Sequence, residues 1–178
     1  MKIGIFSSAS FKVSSKNKKL AKSIAEYLKE KGVEVVTGGS LGIPGIIAEH
    51  AYNLGGKTSV YSPDKDGENH HKRHDNHSLD FYHNKKFIPG FTARSLKMIK
   101  SIDGAIVLNG RVGTLSEFTI AIEEGLPISV LEGTGGITDH LKKIIKISKK
   151  KYLKDKIYFT SSYKKAIDNL ILKKKKKN

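Results

Sequence analysis

Two glycine-rich bends and a carboxylate close behind the second carry the residue types from which chemistry can be built in this chain. The first bend is Gly38-Gly39-Ser40-Leu41-Gly42-Ile43-Pro44-Gly45. The second is Gly110-Arg111-Val112-Gly113, followed at once by Thr114-Leu115-Ser116-Glu117. Each follows a short apolar run and leads into an amphipathic one. Most positions in them lack bulky side chains, so a ligand can approach backbone N–H groups, which at a helix start carry partial positive charge. Ser7 and Ser8, with Ser10, follow another apolar run; they either add hydroxyl contacts to a ligand or cap the next element. The chemistry favoured is the gripping of an anion, above all a phosphate. Neither spacing is that of the dinucleotide fingerprint or of the GxxxxGK phosphate loop, so neither NAD use nor ATP turnover is expected.

Glu117 has two readings. Thr114-Leu115-Ser116-Glu117 has the spacing of a capping box, in which Thr114 caps a helix and Glu117 reaches back to it. A carboxylate beside an anion site also has the chemistry to stabilise a cation or activate water. Cap alone, and cap with catalysis, both fit. Arginine is the scarcer signal: the chain has 30 lysines and three arginines, Arg73, Arg94 and Arg111. Lysine is its default cation, so a planar guanidinium marks a position where that geometry matters. Arg94 is either a surface helix residue or part of a site. Arg111 is either a solvated loop cation or a phosphate ligand.

The elements that must position these residues alternate in kind. Apolar runs predict strands at Lys2–Phe6, Val33–Thr37, Thr58–Tyr61, Gly104–Leu108, Pro127–Leu131 and Lys156–Phe159. Amphipathic spacing predicts helices at Asn17–Lys31, Ile46–Leu54, Arg94–Lys100, Leu115–Glu124, Ile137–Ser148 and Ser162–Leu172. Residues 63–90 are polar and are expected to be irregular. Strict alternation with continuous apolar strands means a doubly wound α/β fold: a mostly parallel sheet of about six strands, helices on both faces. Ligands of such folds lie beyond the carboxyl ends of the strands, where both bends and Ser7–Ser10 fall.

Length and composition bound the rest. The 178 residues, 38% apolar and 28% charged, suit one folded domain, expected over 1–172 with a lysine-rich tail at 173–178. The absence of cysteine excludes disulfides, a thiol nucleophile and cysteine-bound metal clusters. No apolar run has membrane-spanning length, and a cytoplasmic location is expected. The net charge of +16 is uneven: residues 141–178 hold fifteen lysines against two acids, and the remainder is nearly balanced. That basic end is either a polyanion-binding arm or a solvated terminus; the terminal lysine run has no interleaved aromatics for base stacking, so nucleic acid is possible but not favoured. Five of seven histidines crowd into 69–83 at spacings that suit a metal, but no apolar frame accompanies them. No metal is assigned there. The segment reads as a polar loop, with a lid or base recognition as its functional options.

The first bend resembles the GGxxGxxG turn of the LOG family, the lysine-decarboxylase-like proteins among Rossmann-like nucleotide-binding proteins that include the DprA and molybdenum-cofactor-carrier-like branches. Asn109-Gly110-Arg111-Val112-Gly113-Thr114-Leu115-Ser116-Glu117 resembles that family's PGGxGTxxE signature, and Arg94 falls where the family has its active-site arginine. The likeness covers roughly residues 2–147. It implies a homodimer and, for the enzymatic branch, hydrolysis of the N-glycosidic bond of a nucleoside 5′-monophosphate to free base and ribose 5-phosphate, with no metal or organic cofactor. Such cleavage builds an oxocarbenium-like cation and needs a carboxylate near the ribose and an anchor for the phosphate. Under the resemblance Glu117 supplies the carboxylate, Arg94 orients it or binds substrate, and the Gly110–Thr114 turn holds the phosphate. The same fold also serves non-catalytic phospho-ligand sensors or carriers, and DprA-like nucleic-acid binders. The sequence departs from the signature at Asn109 (proline), Arg111 (glycine) and Ser95 (usually lysine).

Overall fold

The strands bury side chains on both of their sides, which only a sheet covered on two faces allows. In β1 (Lys2–Phe6), Ile3 and Ile5 enter one apolar cluster and Phe6 the other. β2 (Glu34–Thr37) divides Val35 from Val36 in the same way. The first cluster is closed by α1 (Ser15–Glu30), α2 (Ile43–Asn53) and α7 (Tyr163–Lys175), through side chains such as Ile24, Ile47 and Ile167. The second is closed by α4 (Phe91–Ile99), α5 (Val112–Glu123) and α6 (Leu141–Ser148), through Met98, Phe118 and Leu141. Burial of each such side chain contributes about 1.5–3 kcal/mol, so the helices and the sheet hold one another in place. These features come from a computed structural model that describes residues 1–10, 12–73, 78–148 and 156–176.

The remaining strands are β3 (Thr58–Ser62), β4 (Asn84–Phe87), β5 (Gly104–Leu108), β6 (Ile128–Leu131) and β7 (Ile157–Thr160). All pair in parallel, in the order β4-β3-β2-β1-β5-β6-β7. The chain therefore winds outward from β1 to β4, returns to the centre at β5, and winds outward the other way. The doubly wound architecture is the expected one, with seven strands instead of about six. The added strand is β4, within the segment expected to be irregular. Its sequence, Asn84-Lys85-Lys86-Phe87, is largely exposed at the sheet edge, so it carries no apolar signal. A short helix, α3 (Gly67–Arg73), lies in the same segment. At the other end α7 runs to Lys175, taking in part of the lysine run. Among the described residues no helix is long and apolar enough to cross a membrane.

Candidate functional site

The winding direction reverses between β1 and β5, so the loops leaving their carboxyl ends diverge and open a crevice. A cleft of about 290 Å³ lies there. Ser7 and Ser8 reach it from β1, Gly38 and Ser40 from β2, and Arg111, Gly113, Thr114 and Glu117 from the loop after β5 and from α5. Arg94 reaches it from α4. Residues far apart in the chain are thus brought to one place.

The centre of the cleft is an ion pair. Arg94 Nη1 donates to Glu117 Oε1 at 2.7 Å, with only 9% and 13% of the two side chains exposed. Burial pushes the Glu117 carboxyl above its ordinary value, and the Arg94 charge and hydrogen bond pull the other way. This replaces the capping box. α5 begins at Val112 with Arg111 as its N-cap residue, so Thr114 lies inside the first turn and Glu117 turns to Arg94. Arg111 gives no side-chain cap, which leaves the first N–H groups of α5 uncapped beside the cleft. Two further donors at this place, Arg94 Nε and Ser7 Oγ, are buried without a hydrogen-bond partner. Such atoms are costly unless a ligand or water completes them.

Gly38 explains how the guanidinium fits. A Cβ there would collide with Arg94 Nη1 and lie 2.8 Å from its Cζ. Its backbone is compatible with alanine, since Gly38 has no positive φ. Gly38→Ala is expected to fold, to displace Arg94, and to cut any turnover at least about tenfold, because small misplacements of catalytic groups are expensive. Steady-state rates beside thermal melting of the variant check this.

The other glycines of the bends have different surroundings. Gly39 (φ 75°) is buried against Val60 and His70. Gly42 (φ 76°) lies against the carbonyl oxygens of Ser8 and Ser10, which fixes the first bend against the β1 loop. Gly45 lines a separate cleft of about 610 Å³ along the outer side of α2, with Glu49 and Phe81. Gly110 sits beneath the Thr114 side chain. Arg111 is exposed and also borders a third cleft, of about 340 Å³, with Lys12 and Asn109.

Asn109 accounts for its own departure from the signature proline. Its φ is 52°, a left-handed value that proline's ring forbids. Its side chain accepts from Gly110 N–H at 2.7 Å and donates to the Thr134 carbonyl at 2.8 Å. The Asn109 N–H donates to Thr134 Oγ1 at 2.7 Å, and Thr138 Oγ1 donates back to the Asn109 carbonyl. The second bend is therefore latched to the turn after β6.

Among the described residues no three His, Asp or Glu side chains gather as a metal site. His74 and His77 lie outside the described residues. His70 is buried, with Nδ1 at 2.9 Å from Ser62 Oγ and 3.3 Å from Asp64 Oδ2. Sequence reasoning missed Phe91 and Pro63, which also line the cleft. Phe91 stands three positions before Arg94, one helical turn away on the same face, and that spacing was its available signal.

The fold has solved relatives. TM1055, a structural-genomics target, superposes with a TM-score of 0.79 at 20% identity, over 97% of this chain and 98% of that one. The molybdenum cofactor binding protein of the phototrophic bacterium Rippkaea orientalis gives 0.75 at 20% identity, over 96% and 94%. DNA processing protein A of Helicobacter pylori, described for its single-stranded DNA binding mode, gives 0.67 at 21% identity, over 97% and 81%. At these identities the likeness establishes the fold. No curated protein matches the chain. A family model does: that of the SLOG cluster4 family aligns with residues 1–167, and the chain belongs to this family.

Proposed function

We propose that the cleft binds a nucleoside 5′-monophosphate and hydrolyses its N-glycosidic bond. The observation that carries this reading is the Arg94–Glu117 pair set between an uncapped helix start and the Gly38–Ser40 bend. The uncapped N–H groups of α5 and the cationic Arg111 suit a phosphate. A phosphate held there fixes the sugar, so binding energy is spent on position. The C1′–N bond breaks with its electron pair leaving on the base, which takes up a proton. Water adds to C1′, and Glu117 accepts the proton that water loses, or faces the sugar cation as an anion. The burial that raises its pKa makes it the better base. Arg94 holds one carboxylate oxygen and leaves Oε2 without a hydrogen bond among the described residues. Atoms balance as nucleotide plus water giving base plus ribose 5-phosphate.

A second reading has its own support. The ion pair that orients Glu117 also neutralises it, and a paired carboxylate suits a phospho-ligand carrier as well as a hydrolase. A relative of similar fold is named as a molybdenum cofactor binding protein. The lysine-rich end of α7 offers a nucleic-acid surface, as the DNA-processing relative suggests. Incubation with AMP, GMP, CMP and UMP, followed by chromatography for free base, separates the readings. Base release from at least one nucleotide is the expected result. A thermal shift without base release would replace hydrolysis by carriage. Neither effect, with salt-sensitive retention of DNA, would move the function to the lysines.

A further inference from the structure

The three arginines of this lysine-rich chain converge. Arg94 and Arg111 line the cleft, and Arg73, from the polar segment that precedes α4, lies over the ring of Phe91, which lines it too. The Arg73 guanidinium lies 5.6 Å from the centre of the Phe91 ring. It is anchored by an ion pair: Arg73 Nε lies 2.6 Å from Asp64 Oδ1, and that carboxylate is 1% exposed. Asp64 Oδ2 in turn accepts from Ser62 Oγ at 3.1 Å, at the end of β3. Phe91 itself is 57% exposed, the first residue of α4, and its neighbour Gly90 donates N–H to the Pro63 carbonyl at 2.9 Å. A large, exposed ring therefore lines the cleft with a paired cation against it, one turn from Arg94.

A solvated aromatic needs no such support. The Arg73 cation meets a buried carboxylate and the Phe91 ring together, so it fixes the one against the other. We infer that Phe91 is the stacking platform for a planar heteroaromatic ring of the ligand, with Arg73 and Asp64 as its positioning residues. This rests on the nucleotide reading and extends it: the ligand carries an unsaturated ring beyond its phosphate, and the site selects for that ring by its face. Stacking tolerates any base, so discrimination between purine and pyrimidine is a matter of contact area.

The test compares AMP with ribose 5-phosphate, which lacks the ring, by calorimetry. Phe91→Ala is expected to weaken AMP about tenfold and leave ribose 5-phosphate unchanged, since stacking on an aromatic acts on the base alone. Phe91→Trp should restore AMP, and Arg73→Lys should weaken AMP in the same selective way while retaining the charge. The exposed position of Phe91 makes loss of folding in these variants an unexpected result, and circular dichroism checks it. Unchanged AMP affinity in Phe91→Ala, or equal losses for both ligands, would overturn the platform and leave the nucleotide reading standing. A wild type that binds neither ligand would overturn the nucleotide reading and the platform with it.

Discussion

Glu117→Gln should reduce base release about a thousandfold, the middle of the range for losing one acid–base group. Glutamine keeps the length of the side chain and an oxygen for Arg94 Nη1, which now donates at 2.7 Å. It removes the negative charge proposed to face the sugar cation and the basicity proposed to take a proton from water. KM should change little, because the proposed phosphate contacts would come from α5 and Arg111 and would remain. Ligand-induced thermal shifts should survive for the same reason. Full activity in the variant would remove Glu117 from the chemistry and leave it as a structural partner of Arg94.

Arg94→Met carries the largest expected effect on stability. It leaves a carboxylate with 13% of its side chain exposed beside a cleft, and no cation against it. Breaking a buried pair by removing one partner costs about 3–5 kcal/mol; the open side of this cleft argues for the lower figure, about 3 kcal/mol at neutral pH. The pH dependence has a definite sign. Burial already raises the Glu117 pKa in the folded chain above its ordinary 4.5, so between those values the folded state holds more protons than the unfolded one. Stability from this group is present below the ordinary value and is lost as pH rises through the folded one. Removing Arg94 takes away the influence that lowers this pKa, so the window widens upward. Melting temperatures of wild type and variant should therefore lie close in acid and separate toward neutrality. A gap that stays constant with pH would mean that the two side chains are not electrostatically coupled.

Both of these residues were legible in the sequence, as was, through the resemblance, the orienting of Glu117 by Arg94; that this contact replaces the capping box was not. The reason is local. Helices were expected from Ile46, Arg94 and Leu115, where apolar periodicity begins; they start about one turn earlier, at Ile43, Phe91 and Val112. A first helical turn makes no N–H bond to a preceding turn, so glycine, proline and exposed apolar residues sit there without leaving a periodic pattern. That displacement made Thr114 look like a cap and Glu117 its partner. It also kept Phe91 out of α4 and out of view. The central strands, by contrast, were legible because burial on both faces demands continuous apolar runs. β4 was not, because an edge strand with Lys85 and Lys86 exposed reads as polar surface.

The hydrogen bond from Gly90 to Pro63 closes the excursion between them almost like the neck of a bag. The buried side chains of His70, Leu79 and Tyr82 tie the excursion to the sheet, while its exposed surface can be exchanged with α4 keeping its starting point. Arg73 belongs to the excursion, and Arg94 and Glu117 do not. Exchange of that surface would therefore alter the surroundings of Phe91 without touching the Arg94–Glu117 pair.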